Sequence, residues 1–265
     1  MIDVEFYRHN GYAIVSGEDV RRLKATLSSA LFRCTLTALE KEPSFRDAVP
    51  ALRERPLGEV VDYIVRHEAA NEVSGRLYRV FPTTPELISS IADPAILNPV
   101  RALGLASPVA GTAPTVRIDR PRDEVHRTPA HQDWWFSLLS PNCVTVWFPV
   151  RPLDQEMGLL EVVVGSHHRG AIAFRTNLES NNNPFCPQEE WPDSAFHPVE
   201  VGEDAAVIFS QYLLHRSGFN LSTRTRLSVQ LRYNDLASME RAESSYAVRH
   251  SDHVTKQQER LLGTA

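Results

Sequence analysis

The sequence predicts a mainly β protein whose helices pack on one face of a β-sandwich. Up to about residue 110, apolar side chains recur at the 3- and 4-residue spacing that is typical of amphipathic helices. After Gly111 the chain shows many short runs with the two-residue period of strands. Helices followed by a series of short strands indicate this layered arrangement. The 265 residues contain no internal repeat or interdomain linker, so we expect a single domain over residues 1–265.

Residues 1–110 form the predicted helical flank. Its first elements are a short strand from Tyr12 to Val15 and a helix that follows Ser16. Ser16 and Asp19 have the spacing of a capping box, although Glu or Gln is the usual partner. The apolar face of this helix consists of Val20, Leu23, Leu27, Ala30 and Leu31.

Prolines mark the starts of the later helices. Pro56 suits the first turn of a second helix, because an amide hydrogen there has no partner within the helix. The buried side of this helix consists of Val60, Val61, Ile64 and Val65. Pro85 and Pro94 begin two short helices, the second of which ends near Leu103.

Residues 111–235 form the predicted β core. The strand candidates in it are residues 115–119, 144–147, 159–163, 205–209 and 227–233. The run at 227–233 has the most regular alternation of the chain, and the apolar run at 205–209 is typical of a strand buried on both faces.

A long polar segment interrupts the core at residues 177–198. Segments of this length inside a domain are usually functional or mobile. Two interpretations remain open: a surface loop, and a lid over the site that orders when substrate binds. In the second case Phe185, Trp191 and Phe196 would pack against substrate.

Composition narrows the class of protein. Lys and Arg number 28 and Asp and Glu 33, so the net charge of −5 argues against nonspecific nucleic-acid binding. No apolar run approaches the length of a membrane span, and residues 1–5 lack the features of a signal peptide. The cysteines, which are odd in number and scattered, indicate a reducing cytoplasm.

His131, Asp133 and His215 have the composition of a metal site. Two imidazoles and one carboxylate are the ligand set of a non-haem Fe(II) centre with open coordination positions. Residues i and i+2 of a strand point to the same side, so one strand edge can present both His131 and Asp133. This pattern alone is weak evidence for a metal site, because a single histidine is more often structural than a ligand. The surrounding residues must show whether the three side chains bind a metal.

Arg226 follows His215 by 11 residues. Its planar guanidinium can bind both oxygens of a carboxylate. A metal triad with such an arginine indicates an iron enzyme whose co-substrate carries a distal carboxylate, as 2-oxoglutarate does. Arg224 and Arg232 are competitors for this role.

Several motifs in this order resemble the phytanoyl-CoA dioxygenase family of Fe(II)/2-oxoglutarate oxygenases. They are PAHQDWW at 129–135, SPNCVTVW at 140–147, GLLEV at 158–162, GSH at 165–167, HRSGFN at 215–220 and RTRLS at 224–228. The resemblance covers roughly Val116 to Tyr233 and extends weakly to residues 6–12.

The resemblance implies a double-stranded β-helix, that is, a cupin-like jelly roll around a small cavity. It also implies that His131, Asp133 and His215 bind Fe(II), that Arg226 binds the 5-carboxylate of 2-oxoglutarate, and that Ser217 assists. Dioxygen is then the second co-substrate, with succinate and CO2 released. A carboxylate at 133 argues against halogenation, because related halogenases carry a small residue there.

Further pocket residues follow from strand faces. Thr145 and Trp147 share one face, so Thr145 can donate to 2-oxoglutarate while Trp147 either walls the pocket or merely packs. Arg117 can reach the 1-carboxylate or an anionic substrate group, unless it lies at the surface. Alternation returns Trp135 to the side of Asp133, which makes it a candidate pocket wall.

His167 lies in the GSH turn and is either structural or a polar edge of the pocket. We expect hydroxylation of a small-molecule substrate such as a sugar or secondary metabolite. Oxidative cyclisation, desaturation or epimerisation with the same cofactors remains an alternative, as does a non-catalytic jelly-roll module that binds carbohydrate. No basic cluster suits the phosphates of coenzyme A, and the oligomeric state is not indicated.

Overall fold

A computed structural model describes residues 2–67, 70–137, 140–176, 184–187 and 189–239. The α-helices within them are α1 Val4–Asn10, α2 Glu18–Glu40, α3 Val49–Leu52, α4 Leu57–Val65, α5 Ala70–Val80, α6 Pro85–Ser90, α7 Pro94–Ala102 and α8 Trp134–Ser137. All but the last precede the β core, as the sequence predicts. None of these helices combines the length and apolar composition that a membrane span requires.

The strands of the described residues are β1 Tyr12–Ser16, β2 Pro108–Ala110, β3 Thr115–Asp119, β4 Cys143–Pro149, β5 Leu160–Val162, β6 Arg175–Thr176, β7 Pro184–Phe185, β8 His197–Val199, β9 Ala205–Ser210, β10 His215–Ser217 and β11 Arg226–Asp235. The large antiparallel sheet has the order β1-β9-β4-β11, and both β2 and β3 pair with the far edge of β11. The small sheet has the order β10-β5-β8, and β6 pairs with β7.

The two sheets enclose one apolar layer. Trp147 of β4 and Val207 and Phe209 of β9 pack there against Leu160 and Val162 of β5. Antiparallel sheets packed face to face with helices outside form the double-stranded β-helix, so this prediction is confirmed.

The helices cover the outer face of the large sheet. Successive residues of a strand point to opposite faces, and Val144, Val146 and Phe148 of β4 therefore face the helices while Thr145 and Trp147 face inward. Much of the apolar core of the described residues lies in this outer layer. The predicted face of α2 is confirmed, since all five of its named residues are buried.

The start of α2 differs from the prediction. Gly17 is the N-cap residue and no side chain caps the helix. Ser16 belongs to β1 and pairs with Ala205 of β9. The capping box is therefore wrong, because sheet pairing fixes Ser16 before the helix begins.

The later helices begin where prolines predict. Pro56 is the N-cap of α4, one residue before the predicted first turn; Val60, Val61 and Ile64 are buried as predicted, whereas Val65 is only partly buried. The helices α1 and α5 were not predicted. Strands β1 and β2 lie within the helical flank at 1–110 but pair in the large sheet, so the flank contributes two strands to the core.

Candidate metal centre

A single backbone bridge brings the two histidines together. The amide of His131 donates to the carbonyl of His215 at 2.9 Å, and the amide of His215 donates back at 3.0 Å. Directly opposed residues of an antiparallel pair project to the same side. The ring centroids accordingly lie 4.1 Å apart.

The chain leaves the extended conformation directly after this bridge. Asp133 precedes α8, so the strand that the sequence predicts through Trp135 is wrong. The alternation argument for Trp135 fails with it, because helical geometry begins at Trp134. The placement of Asp133 beside the histidines depends instead on its own hydrogen bonds.

Backbone carbonyls fix both imidazoles. Nδ1 of His131 donates to the carbonyl of Pro129 at 2.8 Å, and Nδ1 of His215 donates to that of Leu213 at 2.9 Å. Because each Nδ1 carries the proton of its hydrogen bond, Nε2 is the ring nitrogen that can bind a metal. Nε2 of His215 is buried and has no hydrogen-bond partner. Burial, together with the neighbouring His131, lowers the pKa of His215 to about 3, which keeps its ring neutral.

Two residues of the large sheet hold the carboxylate of Asp133. Thr145 donates to Oδ2 at 2.6 Å, and Arg232 donates through Nη2 to Oδ1 at 2.9 Å. Thr145 and Arg232 are directly opposed on β4 and β11. Burial alone would raise the pKa of Asp133, but opposing interactions, of which the charge of Arg232 is the largest, hold this pKa well below its usual range.

The three side chains form a compact donor set. One ligand atom from each of His131, Asp133 and His215 lies within 4.8 Å of the others, and all three residues are buried. Two imidazole nitrogens and one carboxylate oxygen fit the donor preference of Fe(II). The unsatisfied nitrogen of His215 adds to this fit, since a buried polar atom without a partner is costly.

A second polar cluster lies on the same inner face of the large sheet. Arg226 donates from Nη2 to the hydroxyl of Ser217 at 2.8 Å. Nε and Nη2 also contact Oδ2 of Asp119 at 3.2 and 3.0 Å. Nη1 is buried and has no partner. The guanidinium is thus fixed on one edge and open on the other.

Arg117 and Ser228 belong to this cluster. They oppose each other across β3 and β11, next to the opposed pair of Asp119 and Arg226. Arg117 donates to Asp119 at 2.8 Å, which leaves its Nε without a partner. The hydroxyl of Ser228 is also buried and unpartnered.

The other arginines named as anchors have different partners. Arg232 contacts Asp133, and Arg224 forms an ion pair with Asp154 at the surface. Arg224 is exposed, and Arg232 keeps only a buried, unpartnered Nε because its Nη1 and Nη2 already contact Thr115, Gln230 and the proposed metal ligand Asp133. This contrast supports the choice of Arg226.

The structure places the predicted pocket residues in three different surroundings. Trp147 packs between the sheets, as an inward-facing residue of β4 should. Trp135 donates from its indole nitrogen to the carbonyl of Ile172 and packs on Phe174. His167 donates to the carbonyl of Arg8 at the end of α1, outside the polar clusters described above.

The predicted lid lies partly outside the described residues, which exclude 177–183 and 188. In its described part, Phe196 packs under the guanidinium of Arg216 at 4.0 Å, and Trp191 packs under that of Arg169 at 4.8 Å. Arg216 also forms ion pairs with Glu161 and Asp193, so this part is tied to β5 and β10. The lid remains a prediction.

Sequence reasoning missed three contributions to the site. The sequence places Asp119 only in a strand, assigns no role to Ser228, and offers Arg232 only as a rival anchor. The period-2 pattern of β11 could have indicated Ser228, because it shares a face with Arg226. Nothing local marked Asp119, whose role follows from strand pairing.

Comparison with known proteins agrees with the site. The family model for phytanoyl-CoA dioxygenase (PhyH) matches residues 7–228. No curated protein sequence matches the chain.

Solved structures share the fold at low sequence identity. The non-heme monooxygenase ThoJ in its apo form aligns with a TM-score of 0.60 at 14% identity, over 99% of this chain and 100% of its own. SnoK, a non-heme alpha ketoglutarate dependent carbocyclase from nogalamycin biosynthesis, aligns with a TM-score of 0.53 at 18% identity, over 88% of this chain and 82% of its own.

A double-stranded β-helix that encloses two histidines and an aspartate defines the class of non-haem iron oxygenases. Within it, the chain belongs to the phytanoyl-CoA dioxygenase family, and it is an Fe(II)- and 2-oxoglutarate-dependent dioxygenase.

Proposed function

We propose that this enzyme hydroxylates a C–H bond of a small molecule, such as a sugar or secondary metabolite, at an iron held by His131, Asp133 and His215. The observation that carries the metal assignment is the convergence of their three ligand atoms within 4.8 Å in a buried site. The unpartnered Nε2 of His215 is the second support, because only a bound group would satisfy it.

Hydrogen bonds within the protein orient the ligands. The carbonyls of Pro129 and Leu213 accept from Nδ1 of the two histidines, which leaves Nε2 of each ring as the nitrogen for the metal. Arg232 and Thr145 keep the carboxylate of Asp133 ionised and in place. When bound, Fe(II) with 2-oxoglutarate and dioxygen supplies the oxidising chemistry, with succinate and CO2 as co-products.

Arg226 is the proposed anchor of the 5-carboxylate of 2-oxoglutarate. Its Nη1 and the hydroxyl of Ser228 are both buried and unpartnered, and both residues lie on the inner face of β11. A charged carboxylate is the acceptor that such donors select. Ser217 assists by holding Nη2 of Arg226.

The hydroxyl of Thr145 has a different role from the one predicted. It already donates to Asp133 at 2.6 Å, so we assign it to the metal ligand rather than to 2-oxoglutarate. Arg117 keeps its predicted role, since its Nε remains available to the 1-carboxylate or to an anionic substrate group.

A small cleft lies beside the anchor, and we propose that the substrate approaches from this side. Two of its lining residues, Asp119 and Ser217, contact Arg226; the others are Arg120, Asp123, His126, Arg127, Gly218, Phe219 and Asn220. Trp147 remains a proposed wall of the interior. Trp135 and His167 both donate to backbone carbonyls away from the metal ligands, and a pocket role for them stays a prediction.

Oxidative cyclisation, desaturation and epimerisation use the same ligands and co-substrate. SnoK, which shares the fold, is a carbocyclase, so product analysis must distinguish ring closure from hydroxylation. The complete donor set and the family match favour an enzyme over a non-catalytic carbohydrate-binding module.

Succinate formation tests the proposal. Purified protein with Fe(II), 2-oxoglutarate and dioxygen should form succinate, and a substrate from a panel of sugars and secondary metabolites should accelerate it. Mass analysis of that product should show a gain of one oxygen atom. A product that has lost two hydrogen atoms would show desaturation or cyclisation instead of hydroxylation. If no mixture forms succinate, the catalytic proposal is overturned.

A further inference from the structure

Asp119 connects two arginines of the inner face. It is the last residue of β3, and its side chain is 10% exposed. Oδ2 accepts from Nε of Arg226 at 3.2 Å and forms an ion pair with Nη2 at 3.0 Å, while Oδ1 accepts from Nη2 of Arg117 at 2.8 Å. Both carboxylate oxygens are thus used.

This contact decides which edge of Arg226 is open. A guanidinium has three nitrogens in one plane, and binding along one edge fixes the direction of the opposite edge. Asp119 occupies Nε and Nη2, and Ser217 takes a further hydrogen of Nη2. Nη1 is the remaining nitrogen, and it is buried without a partner.

The charges of the cluster fit one ligand carboxylate. Two guanidinium groups and one carboxylate leave a net charge of +1. Burial opposes ionisation of Asp119, but Arg226 and Arg117 outweigh it and lower its pKa to about 2. The carboxylate is therefore charged at neutral pH and keeps both arginines in place.

We propose that Asp119 is a positioning residue for the co-substrate, because it fixes Arg226 so that Nη1 meets the distal carboxylate. The proposal rests on the proposed function, in which Arg226 binds 2-oxoglutarate. It differs from a plain counter-ion role, which would lower the affinity for any anion by cancelling positive charge.

Two ligands separate these roles. 2-Oxopentanoate has the 2-oxo acid group of 2-oxoglutarate but a methyl group in place of the distal carboxylate. We define selectivity as the ratio of the two dissociation constants, measured by anaerobic calorimetric titration of the Fe(II)-loaded protein. Asp119→Asn should raise the dissociation constant of 2-oxoglutarate about tenfold, as expected for one charge-assisted contact. The constant of 2-oxopentanoate should change less than about twofold, so selectivity falls about tenfold.

Asp123→Asn is the matched control. Asp123 lines the same cleft but contacts His126 instead of Arg226. The selectivity of the Asp123→Asn variant should therefore equal that of the wild type. If Asp119→Asn instead tightens the binding of 2-oxoglutarate, Asp119 is only a counter-ion and the inference is overturned.

Measurements in an Arg226→Ala variant distinguish a failure of this inference from a failure of the proposed function. In Arg226→Ala, the further change Asp119→Asn should leave selectivity unaltered. If Arg226→Ala alone leaves selectivity at the wild-type value, the anchor itself is wrong. If Arg226→Ala abolishes selectivity but Asp119→Asn does not reduce it, the inference alone fails.

Asp119→Glu provides the test if the Asp119→Asn variant does not fold. It keeps the charge that the two arginines require but moves the carboxylate by one methylene. Selectivity should fall while the circular dichroism spectrum stays that of the wild type. An unchanged selectivity in this folded variant would contradict a positioning role.

Discussion

At the scale of single residues, each proposed metal ligand is held by a group that is not itself a ligand. Carbonyls of Pro129 and Leu213 hold the histidines, and the opposed pair of Thr145 and Arg232 holds Asp133. Such supporting contacts commonly change metal affinity or activity 10- to 100-fold when they are lost. The donor geometry therefore belongs to the protein itself.

Replacement of a ligand should abolish metal binding. His131→Ala, Asp133→Ala and His215→Ala should each lose turnover and weaken Fe(II) binding, because one of three donors disappears. Anaerobic calorimetry with Fe(II) measures the affinity, and circular dichroism checks the fold. His126→Ala is the control, since this histidine is exposed and lies outside the donor set. Near wild-type turnover in Asp133→Ala would show that Asp133 is not a metal ligand.

Replacement of Arg226, the proposed anchor, should weaken the binding of 2-oxoglutarate. Arg226→Ala loses both the charge and the donors, whereas Arg226→Lys keeps the charge but loses the planar geometry. A charge-assisted hydrogen bond contributes about 1.5–3 kcal/mol, which corresponds to about a 10- to 150-fold rise in the dissociation constant. The rise should be larger in the alanine variant, and Fe(II) affinity should persist in both. Arg224→Ala, which removes a surface ion pair, should bind 2-oxoglutarate normally.

At the scale of elements, the site depends on how the small sheet meets its neighbours. Strand β10 carries His215 and Ser217 and pairs on one side with β5 and on the other with His131. The chain leaving β10 is packed against Gly158, where an added Cβ would lie 2.3 Å from the carbonyl oxygen of Gly218. A change at this turn must therefore move residues next to the site.

Gly158→Ala should destabilise the protein and weaken co-substrate binding. The backbone at Gly158 has a φ of 71°, which costs an L-residue about 1–2 kcal/mol, and contact with Gly218 adds to this. Gly165→Ala is the matched control, because its φ is 75° and an added Cβ there would lie 3.7 Å from the carbonyl oxygen of His9, at ordinary contact distance. Urea unfolding should show a larger loss in the free energy of unfolding for Gly158→Ala than for Gly165→Ala. Equal losses would mean that the turn accommodates the added methyl group without strain.

At the scale of the whole molecule, the large sheet separates an apolar side from a polar side. Its outer face carries the helices, and at the β3–β11 edge its inner face carries arginines, aspartates and hydroxyls. Charged groups are tolerated there because they are paired with one another. Stability should therefore depend on pH through these pairs.

Asp119 should contribute to stability above about pH 4. Its pKa of about 2 in the folded protein lies below the usual value of 3.8, so the folded state binds the proton less readily than the unfolded state. The contribution, about 2 kcal/mol, is complete above pH 3.8 and is lost as the pH falls towards 2. Denaturant unfolding between pH 5 and 2 should show the difference between wild type and Asp119→Asn shrinking with acid. A constant difference would contradict this, and Asp19→Asn at the exposed helix start controls for the loss of a carboxylate.

The sequence by itself determined the fold class, the metal donors and the anchor as predictions. Apolar periodicity located α2, α4 and the main strands, because it reflects which face each element buries. The spacing of His131, Asp133, His215 and Arg226 indicated the chemistry, because donor type and order are properties of the chain alone.

Only the tertiary structure decided which groups hold these residues. Thr145, Arg232 and Asp119 acquire their partners across sheet pairings and loops, at separations of 12, 99 and 107 residues. The helix at Trp134 likewise replaced an expected strand. Local sequence records the conformational preference of a segment, whereas the partner of a buried polar atom depends on what the fold brings within hydrogen-bonding distance.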